Sequence, residues 1–196
     1  DERRLGSDPR ALADLAKTGA GAKRRADLGL GERHAERRDL RLEALDVRLG
    51  AVVRLLTDAT SVHACFVYLV EDDERLVLEA ASEPYAHLVK QIVLERGEGL
   101  AWWAAERKEP AWIREELLSD PRVKYVPELE EERFQSLVSV PIVGKDGNVI
   151  GVISSHTEAP REFTEDEVDV LVSSASLVAG AIENARLYEE MRRRVD

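Results

Sequence analysis

The chain has 196 residues, of which 44% are hydrophobic and 34% are charged, and its formal net charge is −11. This composition can bury the core of one domain beneath a charged surface. Because nucleic acids and anionic membranes attract basic faces, the acidic balance disfavours binding to either. Cys65 is the single cysteine, which excludes an intrachain disulfide and a cysteine-based metal site and favours a cytoplasmic location. No apolar run reaches the roughly 18–20 residues of a membrane span.

The N-terminal part of the chain divides into a polar arm and an amphipathic helix. Residues 1–38 are rich in Arg, Asp and Gly, which predicts a flexible or partly helical arm. A helical pattern runs from Glu32 to about Ala59. Its apolar positions recur three or four residues apart, at Leu42, Leu45, Leu49, Val52, Val53 and Leu56. Because the chain begins at Asp1 without a methionine, we expect it to be a piece of a longer protein.

The middle of the chain has the pattern of an antiparallel sheet. Residues 64–70 are apolar on both faces, as in a central strand, and residues 75–81 return as the hairpin partner. Four further strands are predicted at 91–94, 111–113, 136–143 and 149–155. The last two flank the turn GKDGN, a strong hairpin signal. A short helix is predicted at 100–107.

The C-terminal part of the chain contains a long acidic connection and a capped helix. The connection 114–135 is long and acidic, as functional or mobile loops are. Its charge run from Glu128 to Glu132 is typical of a solvated face; if it instead closes over a pocket, a neutral or cationic ligand is easier to accommodate than an anion. Thr164 and Glu167 form a capping box that opens the last helix. The order of elements predicts an α+β fold, with two long helices on one face of an antiparallel sheet.

Five segments, taken in order, resemble the GAF domain family: ACFVYLVEDDERLVLEAAS, GEGLAWWAAERKEP, SDPRVKY, SLVSVPIVGKDGNVIGVISSH and FTEDEVDVLVSSASLVAGAIENARLYEE. The resemblance covers residues 39–191 and leaves 192–196 as the start of a C-terminal linker. It implies a six-stranded antiparallel sheet, with long terminal helices on one face and short helices and loops on the other. It also implies a sensory module of a signalling protein, which binds a small molecule between sheet and loops and controls an attached output domain.

The residues give little support for catalysis by the domain. The four histidines, His34, His63, His87 and His156, show no spacing typical of a ligand set. Some GAF relatives reduce free methionine sulfoxide, a cycle that needs an attacking and a resolving thiol, and Cys65 alone cannot supply both. The asparagine-lysine-phenylalanine-aspartate-glutamate signature of cyclic-nucleotide-binding members is absent. The sequence requires no cofactor, and neither haem nor bilin is expected.

Aromatic and small hydroxyl residues are the candidates for a ligand pocket. Adjacent indoles on a helix point about 100° apart, so one of the two at 102 and 103 faces the core and the other faces a pocket, a partner or solvent. Serines that interrupt apolar strands leave space and offer hydrogen bonds. The pocket candidates are Tyr68, Trp102, Trp103, Tyr125, Phe134, Ser139, Ser154 and His156. The alternative is that the aromatic side chains only fill the core.

The terminal helices predict a homodimer. Apolar and small residues on both helices allow a second subunit to approach closely, as in helical bundles. The dimer candidates are Leu42, Leu45, Leu49, Ala181, Ala185 and Tyr188. An alternative function therefore stays open, in which the domain binds no ligand and serves as a structural dimerisation module of a transcription regulator or kinase.

Overall fold

Six strands pair into one antiparallel sheet in the computed structural model, which describes residues 45–194. The strands are β1 (Ala64–Glu71), β2 (Arg75–Ala81), β3 (Val93–Glu95), β4 (Ala111–Ile113), β5 (Ser136–Val143) and β6 (Val149–Thr157). Their order across the sheet is β3-β2-β1-β6-β5-β4. The predicted α+β class and the six-stranded sheet are therefore confirmed. The arm predicted for residues 1–38 and the side chain of Leu42 lie outside the described residues.

Three helices and four 3₁₀ turns complete the described part of the chain. The helices are α1, which covers residues 45–60 of the described range, α2 (Gly99–Arg107) and α3 (Glu165–Arg193). The 3₁₀ turns are Tyr85–Leu88, Leu117–Ser119, Pro127–Leu129 and Glu131–Arg133. The last three turns occupy the acidic connection between β4 and β5, which is therefore ordered into short turns rather than left irregular.

Alternating side chains of the central strands enter two separate apolar clusters, one on each face of the sheet. On β1, Phe66 and Tyr68 join one cluster, while Cys65 and Val67 join the other. This is the pattern predicted for a central strand, because successive side chains of a strand point to opposite faces. Gly151 on β6 allows β1 to approach closely, since a Cβ there would lie 2.3 Å from the carbonyl oxygen of Tyr68.

Helices α1 and α3 cover one face of the sheet, which we call the helix face. Its buried apolar side chains include Leu49, Val53, Leu56, Val140, Ile153, Leu171, Val178 and Ile182. The predicted capping box opens α3, because the Glu167 amide donates to the Thr164 hydroxyl and the Thr164 amide donates to the Glu167 carboxylate. By length and composition alone, Glu165–Tyr188 could also cross a membrane. That test is weak evidence here, because core helices pass it and α3 packs on β5 and β6.

Helix α2 and the 3₁₀ turns cover the opposite face, which we call the loop face. Trp102 faces this core and its indole N–H donates to the carbonyl oxygen of Leu94 at 3.0 Å. Trp103 is half-buried, with the Arg107 guanidinium 4.0 Å from its ring centre. The two indoles therefore diverge as predicted, with Trp102 in the core and Trp103 beneath an arginine.

Candidate functional site

A small, partly open cavity of about 30 Å³ lies between the centre of the sheet and the turns of the loop face. Such a space holds about one or two water molecules. Most of its wall is apolar. Its polar lining residues are Tyr68, Lys124, Glu131, Ser139, Ser154 and His156. This combination of an apolar wall and a few convergent polar groups is typical of small-molecule sites.

Strands β5 and β6 form the floor of this cavity, which we call the loop-face pocket. Ser139 and Ser154 lie directly opposite each other in the sheet, and their hydroxyl oxygens are 2.8 Å apart in a buried hydrogen bond. His156 is two residues further along β6 and therefore points to the same face as Ser154. The sheet register thus brings two hydroxyls and an imidazole together at the pocket floor.

The 3₁₀ turn Glu131–Arg133 places a carboxylate over this floor. Glu130, just before the turn, adopts a left-handed conformation with φ of 51°, which reverses the chain direction. Only 5% of Glu131 is exposed. Its Oε2 accepts the backbone N–H of Val126 at 2.6 Å, while Oε1 lies 4.0 Å from Nε2 of His156. One oxygen therefore holds the loop, and the other is beyond hydrogen-bonding distance from the imidazole.

His156 is buried without hydrogen-bond partners. The residue is 2% exposed, and neither ring nitrogen has a partner among the described residues. Its ring packs between Phe66, with ring centres 5.2 Å apart, and Phe134, at 5.0 Å. Leaving a buried polar group unpaired typically costs about 1–3 kcal/mol. Side chains retained at such a cost are candidates for a role in binding.

Burial governs the protonation of the polar groups in the pocket. Loss of solvation raises the pKa of Glu131 to about 7, although the Val126 N–H opposes this shift. The same effect lowers the pKa of His156 to about 3, so the imidazole is neutral at pH 7. Burial, and then the nearby Glu131 carboxylate, raises the pKa of Tyr68. At neutral pH the pocket therefore contains a neutral histidine, a neutral tyrosine and a partly ionised glutamate.

A second concavity, an open groove of about 760 Å³, lies at the end of the sheet where the β1–β2 and β5–β6 turns meet α2. Its walls carry both signs of charge, including Asp73, Arg96, Glu106 and Lys108. The two cations among these groups already have partners. Arg96 pairs with Glu106 at 3.9 Å and donates to the carbonyl oxygen of Asp73, and Lys108 donates to the carbonyl oxygen of Gly147. The groove therefore presents a solvated, internally paired surface, in contrast to the loop-face pocket.

Comparison with known proteins identifies the family. The sequence model of the GAF domain matches residues 43–183. The chain belongs to the GAF domain family. The GAF domain from a phosphoenolpyruvate-protein phosphotransferase of Coxiella burnetii is a similar solved structure. It is 28% identical, has a TM-score of 0.69, and the match covers 74% of this chain and 86% of that one. The free methionine-R-sulfoxide reductase of Thermoplasma acidophilum shares the fold, with 20% identity, a TM-score of 0.60, and coverage of 74% and 96%.

Two curated relatives contain the GAF domain within much longer proteins. The phosphoenolpyruvate-dependent phosphotransferase system protein of Escherichia coli is 26% identical over 147 residues, which are 73% of this chain and 19% of that protein. The dual 3′,5′-cyclic-AMP and -GMP phosphodiesterase 11A of Takifugu rubripes is 24% identical over 169 residues, which are 81% and 18% respectively. The chain therefore spans about a fifth of the length of these relatives, and its likeness to them supports a regulatory domain.

The structure brings half of the predicted pocket residues together. Tyr68, Ser139, Ser154 and His156 line the loop-face pocket. Phe134 packs against His156 from behind. The other three candidates lie elsewhere. Trp102 and Trp103 are held by α2 away from the pocket lining, and Tyr125 is largely exposed, with its hydroxyl donating to the Glu132 carboxylate at 3.1 Å.

The interpretation of the acidic run as a solvated face is wrong for Glu131, which is buried within it; at this residue the alternative, that the run closes over a pocket, describes the structure. In a 3₁₀ turn, residues three positions apart share a side, and Phe134, three residues after Glu131, is a large apolar residue. Both side chains enter the loop face. The same spacing relates the buried Leu129 to the exposed Glu132, so the spacing alone does not identify the carboxylate that turns inward.

The described residues offer little that could act as a nucleophile or a metal site. Burial raises the pKa of the Cys65 thiol to about 12, so the thiol is protonated at neutral pH. Cys65 also points to the helix face, away from the pocket. Between residues 45 and 194, no group of three or more His, Cys, Asp and Glu side chains is arranged to hold a metal ion. The geometry of the loop-face pocket suits binding of a small polar group.

The predicted dimer residues differ in their exposure. Leu49 is only 1% exposed and packs against the sheet of its own chain, which removes it as an interface residue. Leu45, Ala181 and Ala185 are half-buried, and Tyr188 is exposed. Dimerisation itself stays a prediction.

Proposed function

We propose that this GAF domain is a cytoplasmic regulatory module, not itself catalytic, which binds a small molecule in the loop-face pocket and controls an attached output domain. One observation carries the proposal. His156 and Glu131 are buried in the pocket, where, among residues 45–194, both imidazole nitrogens lack partners and the carboxylate lacks a cation. A ligand that satisfied these groups would recover the cost of their burial.

The strands beneath the pocket offer a route by which binding would reach the terminal helices. Ser139 and Ser154 face the pocket, while the alternate residues Val140 and Ile153 on the same strands pack in the cluster that holds α3. In addition, the backbone N–H of Lys145 in the β5–β6 turn donates to the Glu183 carboxylate on α3 at 2.7 Å. A ligand that shifts β5 and β6 would therefore favour one packing of α3 over another.

Native mass spectrometry of the chain isolated from its source tests the proposal. At settings that preserve non-covalent complexes, the wild-type chain is expected to carry an additional small-molecule mass that denaturing settings remove. Ser139→Thr keeps the hydroxyl and adds one methyl group to a space of about 30 Å³, so this variant should retain much less of that mass.

A matched control distinguishes an effect at the pocket from a general effect of a serine-to-threonine substitution. Ser174 is half-buried on α3, outside the lining of the loop-face pocket, and donates to the carbonyl oxygen of Val170. Ser174→Thr makes the same chemical change far from the pocket and should retain the ligand as the wild type does. Equal retention by both variants would place the ligand elsewhere, and no retained mass after exposure to the small molecules of the source cell would remove the binding function.

A second function, dimerisation through α3, is favoured by a separate observation. Leu177, Leu187 and Met191 are large apolar side chains that α3 leaves exposed, at 75%, 53% and 54%. They fall at the a and d positions of one heptad register, since they are separated by ten and four residues. Such a stripe fits the same stripe of a second copy in a parallel or antiparallel helix pair.

Light scattering across a range of protein concentrations tests this second function. The wild-type chain should have the mass of a dimer, and Leu177→Glu combined with Leu187→Glu should have the mass of a monomer, because both charges would enter the seam. Ser176→Glu, at an exposed position of α3 that is neither a nor d in this register, controls for added charge on α3 and should leave the mass unchanged. A wild-type monomer at high concentration would contradict dimerisation while leaving ligand binding intact.

A further inference from the structure

In the described part of the chain, the loop-face pocket contains a carboxylate without a cationic partner as well as an imidazole without hydrogen bonds. Among the residues that the structure describes, no lysine or arginine lies within ion-pairing distance of Glu131. Lys124 also lines the pocket, but its Nζ binds the Glu98 carboxylate at 3.0 Å. The neighbouring Arg133 binds Glu130 and Glu158 at 3.0 and 2.8 Å. These two basic side chains close to the pocket are therefore already paired with other carboxylates.

A second buried glutamate shows how this fold satisfies such a group elsewhere. Glu79 on β2 is buried to a similar degree, and the Lys90 ammonium forms an ion pair with its carboxylate. Buried carboxylates are normally paired in this way. Glu131 has the burial of Glu79 without its ammonium partner.

We infer that the ligand of this pocket carries a primary ammonium group, which donates to Oε1 of Glu131 and to the unprotonated ring nitrogen of His156. The inference rests on the proposed ligand-binding function and specifies the chemistry of that ligand. Two features select a primary ammonium. A cation with several N–H donors serves both the carboxylate and the neutral imidazole, and Oε1 and Nε2 are 4.0 Å apart on the same pocket. A quaternary ammonium has no N–H group to donate to either acceptor.

The inference also predicts how ammonium binding depends on pH, because Glu131 titrates near neutrality. With a pKa of about 7, Glu131 is mostly protonated at pH 6 and mostly ionised at pH 8. The titratable or charged groups around it are His156 on β6, Tyr68 on β1, and Lys124 and Glu132 in the loop. His156 and Tyr68 stay neutral across this range because their pKa values are lowered and raised respectively. An ammonium should therefore bind about tenfold more tightly at pH 8 than at pH 6.

Methylammonium chloride is the probe, because it carries the proposed head group and little else. The thermal unfolding midpoint of the full chain is measured in about 100 mM methylammonium, methanol or tetramethylammonium, with ionic strength matched by sodium chloride. Methylammonium should raise the midpoint by at least about 2 °C at pH 8, and by less at pH 6. Methanol has the same size without the charge, and tetramethylammonium has the charge without N–H donors, so neither should raise it.

Two adjacent glutamates provide matched variants. Glu131→Gln keeps the shape of the side chain and an acceptor for the Val126 N–H, but removes the charge, and should abolish the methylammonium shift. Glu132→Gln makes the same change on an exposed neighbour and should preserve the shift. A shift that survives in Glu131→Gln, or a wild-type shift no larger than that in tetramethylammonium, would overturn the inference. If the natural ligand retained by the wild-type chain has no basic nitrogen, the inference fails while the proposed binding function stands.

Discussion

The two faces of the sheet are formed by the same strands but have different functions. On the helix face, α1 and α3 bury an apolar cluster that extends from Leu49 to Ile182. On the loop face, the same strands direct Ser139, Ser154 and His156 toward a small cavity, over which a 3₁₀ turn places Glu131. Both faces bury a large apolar cluster, and the loop face in addition gives up part of its stability to keep polar groups available for a ligand.

Replacing a core residue of the helix face gives the largest expected effect. Ile182 is 2% exposed, and Ile182→Ala should lower the free energy of unfolding by about 2–5 kcal/mol, because it removes buried methylene groups and leaves a cavity. Urea titration followed by circular dichroism measures this. Leu177→Ala on the exposed side of the same helix should change it by less than about 0.5 kcal/mol. Equal losses in the two variants would contradict the assignment of Ile182, rather than Leu177, to the side of α3 that packs on the sheet.

The pH dependence of stability should reveal the buried carboxylate of the loop face. Burial raises the pKa of Glu131 from its usual value of 4.5 to about 7, so its contribution to stability is present at low pH and lost as pH rises through 7. Between pH 5 and pH 8, this loss is on the order of 2–3 kcal/mol. The neutral side chain of Glu131→Gln does not titrate, so the variant should gain that amount relative to the wild type over the same range.

Chemical denaturation at several pH values checks this prediction, with Glu132→Gln as the control. His156 titrates in the opposite sense, because its lowered pKa makes stability fall as pH drops from 6.5 towards 3. That contribution is present in the wild type and in both variants, and it cancels in the comparison. If the stabilities of the wild type and Glu131→Gln differ by the same amount at pH 5 and pH 8, Glu131 does not have the raised pKa.

Removing the unpaired imidazole should stabilise the ligand-free domain. Leucine has a similar volume to histidine and no polar atoms, so His156→Leu should raise the free energy of unfolding by about 1 kcal/mol. The same variant should lose the retained small-molecule mass. A variant destabilised by more than about 2 kcal/mol would show that the imidazole makes hydrogen bonds, which would remove the distinction between the two faces.

The smallest effect concerns the cap that fixes α3 on the helix face. Thr164→Ala removes the hydroxyl that accepts the Glu167 N–H at 3.3 Å and should cost about 1 kcal/mol. Thr57, within α1, donates to the carbonyl oxygen of Val53 at 2.7 Å, a bond that the helix does not need. Thr57→Ala is therefore the matched control, and thermal unfolding should show a smaller loss for it than for Thr164→Ala.

The sequence predicts the fold well because its strands and caps are local patterns. The apolar run of β1, the turn between β5 and β6, and the capping box at Thr164 each depend on neighbouring residues, and each is present. The serines at 139 and 154 were also predictable, because small hydroxyls interrupt strands that are otherwise apolar. Their direct pairing depends on register, which a sequence pattern constrains less.

The acidic side of the pocket was predicted only as an alternative and without its residue, because the buried carboxylate depends on where a loop folds back. Glu131 lies within a run of charged residues that would be solvated in most proteins, and a left-handed residue before it turns it inward. Tyr125 shows the converse. Its aromatic ring favours burial, yet the turn leaves it exposed beside Glu132. A buried glutamate and an exposed tyrosine both follow from the tertiary path of this connection, which the amino-acid composition does little to predict.

Nuclear magnetic resonance of the ¹⁵N-labelled imidazole of His156 tests the central claim most directly. The claim is that the loop face holds a buried, neutral histidine, unpaired among the described residues, beside a carboxylate. It predicts that the ring of His156 stays neutral from pH 8 to pH 4.5, and that methylammonium at pH 8 shifts the unprotonated ring nitrogen toward the hydrogen-bonded value. A ring that titrates near pH 6.5, or nitrogens that already have hydrogen-bonded shifts without ligand, would contradict the claim.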